Sequence, residues 1–113
     1  MKIFNQSKNT VLAEAVIIAD RLFPRMKGLL GKKELKPNEA IVLKPCNSIH
    51  TLFMRFPIDV LFIDKHNKAI EVISNLKPYR LTRIYFNARF AIELPSGTLQ
   101  ATATAKDDTL LLI

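Results

Sequence analysis

Two ionisable residues lie inside the most apolar part of this chain: His50, in Ser48-Ile-His-Thr51, and Asp59, in Pro57-Ile-Asp-Val-Leu-Phe-Ile63. A polar group in such company is costly unless partnered. An ionised Asp59 needs a cation or several donors, or its pKa must rise. His50, Arg55, Arg25 and Arg80 are the candidate cations. A structural ion pair that fixes strand register is the plainest expectation, because buried ion pairs are weak evidence of function. A general base or ligand-binding carboxylate is the sharper alternative, and an exposed carboxylate on an edge strand the blander one.

His50 follows Cys46 by four residues, which raises a Cys–His nucleophile pair or a metal site completed by a carboxylate. That spacing aligns the two side chains only on a helix; on a strand they share a face but stand about 13 Å apart. The other histidine, His66, falls in the expected turn Lys65–Lys68. A satisfied structural histidine is therefore expected over either chemistry, and no metal or cofactor is expected. Two functional readings remain. In the leading one, Arg25, His50, Asp59 and Arg80 line a concave β surface, with Met54 and Phe56 as apolar wall. The surface holds a small polar or anionic ligand without turnover. In the alternative, a small hydrolase-like enzyme uses His50 as acid/base, oriented by Asp59 or Glu93.

The elements that must position these residues are mostly strands. Met1 to Asn5 and Thr10 to Ala19 read as a hairpin about a polar turn. Asp20 offers an N-cap to an amphipathic helix over 21–30, where Leu22, Met26, Leu29 and Leu30 recur at helical spacing and Gly31 suits the residue past its end. Ala40 to Leu43 is a short strand. Pro57 to Asp64 is the main one, with Ile58, Val60 and Phe62 on one face and Asp59, Leu61 and Ile63 on the other. Both faces are apolar apart from Asp59, so a strand covered on both sides is expected. A second hairpin leads into Ala69–Ile73. Residues 74–87 read as loop, Ala88 to Leu94 as strand, Thr98 to Ala105 as short helix or loose β segment, and Thr109 to Ile113 as a last strand. The segment 46–56 fits neither period, and irregular segments between strands are where binding residues concentrate.

The 113 residues suit one domain, 1–113, with one modest core. The longest run without a formal charge, Leu94 to Ala105, is far short of the roughly 18 residues of a membrane span. The N-terminus turns polar after Phe4, and Glu14 interrupts the next apolar run, so no signal-peptide core is expected. A lone cysteine excludes an internal disulfide and fits a reducing compartment; cytoplasm is the expected location. Three glycines in no phosphate-cradling pattern exclude a Walker loop and a dinucleotide-binding fold.

The formal charge of +7 favours acidic partners. Residues 21–44 carry seven cations against two acids, and residues 77–93 four against one. Should these regions meet, they form a basic face able to dock on acidic protein or nucleic acid, a third functional reading. Tyr79, Arg80, Arg83, Tyr85 and Phe86 mix cations with aromatics as single-strand binders do, but no paired RNA-binding motif accompanies them.

Arg25-Met-Lys-Gly-Leu-Leu30, Cys46-Asn-Ser-Ile-His-Thr51, Met54-Arg-Phe-Pro-Ile-Asp-Val-Leu-Phe62, Pro78-Tyr-Arg80 and Leu94-Pro-Ser-Gly97 together resemble the bacterial and archaeal domain-of-unknown-function family 192. The similarity runs from about Thr10 to the C-terminus. It implies a mainly β (α+β) domain, an antiparallel β-barrel or jelly-roll-like architecture with one short helix. By the same resemblance the motif residues are Arg25, Gly28, His50, Thr51, Met54, Asp59, Pro78, Arg80 and Glu93, which adds Thr51 to the ligand-binding candidates. Lys32, where the family often has arginine, and Lys106-Asp107-Asp108, in place of a usual Gly-Asp, depart from the pattern.

Overall fold

The computed structural model describes residues 1–19, 35–52 and 54–113. The expected helix over 21–30, and with it Arg25 and Gly28, lies outside the described residues. Among the described residues eight strands run in the order β1 (Ile3–Asn5), β2 (Thr10–Ala13), β3 (Ala15–Ala19), β4 (Glu39–Leu43), β5 (Ile58–Ile63), β6 (Ala69–Leu76), β7 (Phe90–Pro95) and β8 (Leu110–Leu112). One short helix, α1 (Thr98–Ala101), stands between β7 and β8. The mainly β class is as expected.

The closed barrel is not. The strands divide into a three-stranded sheet, β2-β1-β8, and a five-stranded sheet, β3-β4-β7-β5-β6. The switch between them occurs at Glu14. The sequence from Thr10 to Ala19 reads as one continuous strand, but β2 pairs antiparallel with β1 and β3 pairs parallel with β4. The Asn38 carbonyl accepts the N–H groups of both Glu14 and Ala15 at the corner. The other named strand pairs are antiparallel, in line with the expectation, and the β3–β4 ladder is the parallel exception. A parallel neighbour needs a long crossover, and the residues between β3 and β4 supply the length.

β5 is the centre of the molecule, buried along its entire length between β6 and β7. Its two faces serve two cores. Leu61 and Ile63 join Ala40, Val42, Ile92, Leu94 and Leu99 beneath the small sheet, which contributes Ile3, Leu12 and Leu110. Ile58, Val60 and Phe62 join Ile41, Leu43 and Ala91 on the far side, where Cys46, Ile49 and Met54 cover them. A sheet apolar on both faces must be covered twice. Among the described residues the second cover is irregular chain rather than another sheet.

The N- and C-terminal strands are joined by a buried polar network. Fully buried Asn5 donates from Nδ2 to Thr104 Oγ1 at 3.1 Å and to Asp108 Oδ2 at 2.9 Å. Lys8 Nζ lies 2.9 Å from the same carboxylate oxygen, and the Ala105 N–H donates to it at 2.9 Å. Burial alone would push the Asp108 carboxyl up. The Asn5 amide, the Ala105 N–H and Lys8 outweigh it and hold the group below its ordinary value.

Candidate functional site

Among the described residues, the irregular cover over β5 consists of two segments zipped together, 46–52 with Met54, and 77–88. His50 and Leu81 form a β-bridge. The Thr51 N–H donates to the Arg80 carbonyl at 2.8 Å and the Tyr79 N–H to the Thr51 carbonyl at 2.9 Å. Further along, the Thr82 N–H reaches the Ile49 carbonyl and the Tyr85 N–H the Asn47 carbonyl. The Tyr85 ring then packs on Phe62 of β5, centroids 4.5 Å apart, which anchors the outer segment to the core. Burial raises the Tyr85 phenol above its ordinary pKa, and the Glu71 carboxylate adds to the rise against a smaller opposing effect of Arg83.

Thr51 is the clasp of this pair. Its side chain is fully buried; Oγ1 donates to the Lys77 carbonyl at 2.6 Å and accepts the Arg80 N–H at 2.9 Å. The hydroxyl thus both donates and accepts inside the chain. It holds Tyr79 in the left-handed region, at φ 61°, where a bulky residue persists only if its surroundings compel it.

Where the two segments part, they leave a cleft of about 340 Å³ lined by Pro45, Cys46, Asn47, Ser48, Ile49, His50, Leu81 and Ala88. Cys46 Sγ is turned to the Ser48 carbonyl, 3.1 Å away. His50 is half-buried, and its Nδ1 is buried with no hydrogen-bond partner. Such orphans are rare and cost about 1–3 kcal/mol. In a neutral ring the cheaper arrangement leaves Nδ1 as a bare acceptor and puts the proton on Nε2. The ring's donor is then Nε2, on a residue that lines the cleft.

Asp59 takes no part in this site. Its carboxylate is fully buried on the opposite face of β5, facing α1. Oδ1 accepts the Asn75 N–H at 2.8 Å, and Oδ2 accepts the N–H groups of Gly97 and Leu99 at 3.1 and 2.9 Å. Three backbone amides meet the carboxylate, and among the described residues, which include His50, Arg55 and Arg80 but not Arg25, no basic side chain pairs with it. Gly97 has φ 97°, a conformation that glycine adopts freely, and so brings its own amide and the start of α1 to the carboxylate. Glu93, by contrast, is buried on β7 opposite Val60 and Ile41, on the face beneath the cleft. His50 therefore shares a side of the sheet with Glu93 and not with Asp59.

Met54 is buried in the second core with Phe56 packed against that core, and neither is among the residues that line the cleft. Arg80 is exposed, its guanidinium 3.5 Å from the Tyr79 carbonyl. Among the described residues no group of three or more His, Cys, Asp or Glu could hold a metal ion, and no helix is long and apolar enough to cross a membrane. The sequence reading did not place Asn47, Ser48, Leu81 or Ala88 at a site. Proximity of the first two to His50 was the available signal; nothing local marks Leu81 and Ala88, which arrive through the bridge.

The profile of domain-of-unknown-function family 192 (DUF192), described as "Uncharacterized ACR", matches residues 3–112. The chain belongs to this family. A UPF0127 protein of Pyrococcus horikoshii is 39% identical over 101 residues, covering 84% of this chain and 84% of that protein. A UPF0127 protein of Pyrococcus furiosus is 30% identical over 112 residues, covering 94% and 93%. The DUF192 fold of this chain also resembles two solved bacterial structures. One is a protein of unknown function from Novosphingobium aromaticivorans, with TM-score 0.82 at 16% identity, covering 98% of this chain and 82% of that one. The other is a putative transcription regulator from Sinorhizobium meliloti, with TM-score 0.78 at 18% identity, covering 97% and 89%. At such identities the likeness is one of fold.

Proposed function

We propose that this DUF192 chain is a small binding module whose ligand, a small polar or anionic molecule, sits in the cleft between residues 45–50 and 81–88. The observation that carries the reading is His50. A side chain with one nitrogen buried and unpartnered among the described residues bears a desolvation cost, and the same residue lines the cleft. The His50 Nε2–H supplies a donor, and the Asn47 and Ser48 side chains add polar groups around it. Ile49, Leu81 and Ala88 give the apolar wall that such sites combine with a few polar anchors. A cleft near 340 Å³ lies at the small end of ligand-pocket volumes, which favours carboxylates and monosaccharides over large cofactors. Asp59 is removed from the ligand set, Thr51 becomes the residue that holds the cleft's wall, and Arg80 lies on the exposed outer segment.

Thermal-shift screening of the full chain against carboxylates, phosphates and sugars tests the proposal, since a ligand that binds the folded state raises Tm by mass action. The expected result is stabilisation by at least one small acceptor-bearing compound that disappears in His50→Ala. A full library without effect, or a hit that survives His50→Ala unchanged, overturns it.

A further inference from the structure

The outer segment of the zipped pair carries an anomaly of which the cleft uses only Leu81. Tyr79, Leu81, Ile84 and Phe86 are 60%, 76%, 48% and 83% exposed, within eight consecutive residues. Leu52, also exposed, follows Thr51, whose carbonyl holds Tyr79. Singly exposed apolar residues are ordinary; a cluster rimmed by polar groups marks an interaction surface. Between these residues stand exposed Arg80 and Arg83, with exposed Lys77 and Arg89 at the ends, and no acid occurs from 77 to 92.

We propose that this segment is a membrane-surface contact, in which Leu81, Ile84 and Phe86 enter the headgroup layer of an anionic bilayer while Arg80, Arg83, Arg89 and Lys77 meet lipid phosphates. Charge and shape select this occupant. A second copy docking through the same face would set four cations against four. Nucleic acid would use Tyr79 and Phe86 for stacking but has no place for the protruding Leu81 and Ile84. A peptide adding as a strand would find only some of the amides, since the N–H groups of Tyr79, Arg80, Thr82 and Tyr85 are spent on residues 47–51. What the segment presents along its whole length is side chains: exposed apolar groups interleaved with exposed cations, the composition of interfacial anchors. The Phe62–Tyr85 packing and the Thr51 clasp hold the loop in place, so little ordering is required on contact.

The test is flotation of the full chain with vesicles of phosphatidylcholine alone and of phosphatidylcholine mixed with phosphatidylglycerol. Binding is expected to the mixed vesicles and not to the neutral ones. Both Leu81→Ser/Phe86→Ser and Arg80→Glu/Arg83→Glu are expected to weaken it about tenfold or more, at roughly a factor of five per basic residue near an anionic surface. All four positions are exposed, and unchanged circular dichroism verifies folding. Lys36→Glu, an exposed charge reversal elsewhere, is expected to leave binding intact. The proposal is overturned by absence of binding to mixed vesicles, by equal loss in Lys36→Glu, by full binding of Leu81→Ser/Phe86→Ser, or by displacement of the chain from vesicles by short single-stranded DNA or polyglutamate at equimolar charge.

Discussion

Asp59 of β5 accepts a hydrogen bond at 2.9 Å from the backbone N–H of Leu99, forty residues further along the chain. With the Gly97 and Asn75 amides, this makes a buried carboxylate into the socket that seats α1 and the end of β6. A carboxylate accepting two or three N–H bonds needs no counter-cation, because charge-assisted bonds to amides supply the compensation.

Replacing Asp59 therefore strikes stability first. Asp59→Ala leaves three amides without their acceptor and is expected to cost about 3 kcal/mol or more, read as a lowered denaturant midpoint. Asp59→Asn is expected to cost about 2 kcal/mol, because its NH2 confronts amide donors where an oxygen accepted them. In folded Asp59→Asn, ligand binding at the His50 cleft is expected to be unchanged. A loss under about 1 kcal/mol in Asp59→Ala would remove the carboxylate from its place as anchor.

Asp108 sets the acid limb of stability. Its folded pKa lies below the ordinary carboxylate value because Asn5, Ala105 and Lys8 outweigh burial. The stabilisation is thus fully present above the unfolded value, about 3.9, and is lost as pH falls through the lower folded value. Urea titrations from neutral pH downward are expected to show stability falling below about pH 4, with a shallower fall in Asp108→Asn. Identical acid profiles for the two proteins would contradict it.

The alkaline limb belongs in part to Tyr85. Its folded pKa is raised, by burial first and then by Glu71, so its contribution is present below the unfolded value near 10 and lost as pH rises through the folded one. Tyr85→Phe keeps the ring against Phe62 and is expected to flatten the loss of stability above about pH 10. An unchanged slope there would place the alkaline sensitivity elsewhere.

Thr51→Val tests the clasp. It preserves shape but removes the hydroxyl that serves Lys77 and Arg80, at an expected cost of about 2 kcal/mol. Hydrogen exchange should accelerate at the amides of Arg80 and Thr82, while the amides of β5 lose protection only to the extent that global stability falls. Thr51→Ser, which keeps the hydroxyl, is expected to retain most of the protection. Uniform loss across the chain, with no excess at 79–82, would make Thr51 an ordinary core residue.

What the sequence by itself determined was the pattern that local sterics impose. Alternation along Ile58–Ile63 assigned Ile58, Val60 and Phe62 to one face and Asp59, Leu61 and Ile63 to the other, and the two cores keep that division. The short strand at β4, the strand at β7 and the helical option at 98–105 were legible for the same reason: period and turn residues act over a few positions. The tertiary structure alone decided the rest. Nothing near Glu14 in the sequence announces that the strand leaves one sheet for another, because the signal is the Asn38 carbonyl. No local pattern tells that Asp59 is met by amides 16 to 40 residues away. Nor does it show that Asp59 and Glu93, on neighbouring strands, point to opposite sides. Side-chain period is a property of one strand; the partner of a buried charge, and the loop that bridges His50 to Leu81, depend on which distant segments the closing of two cores brings into contact.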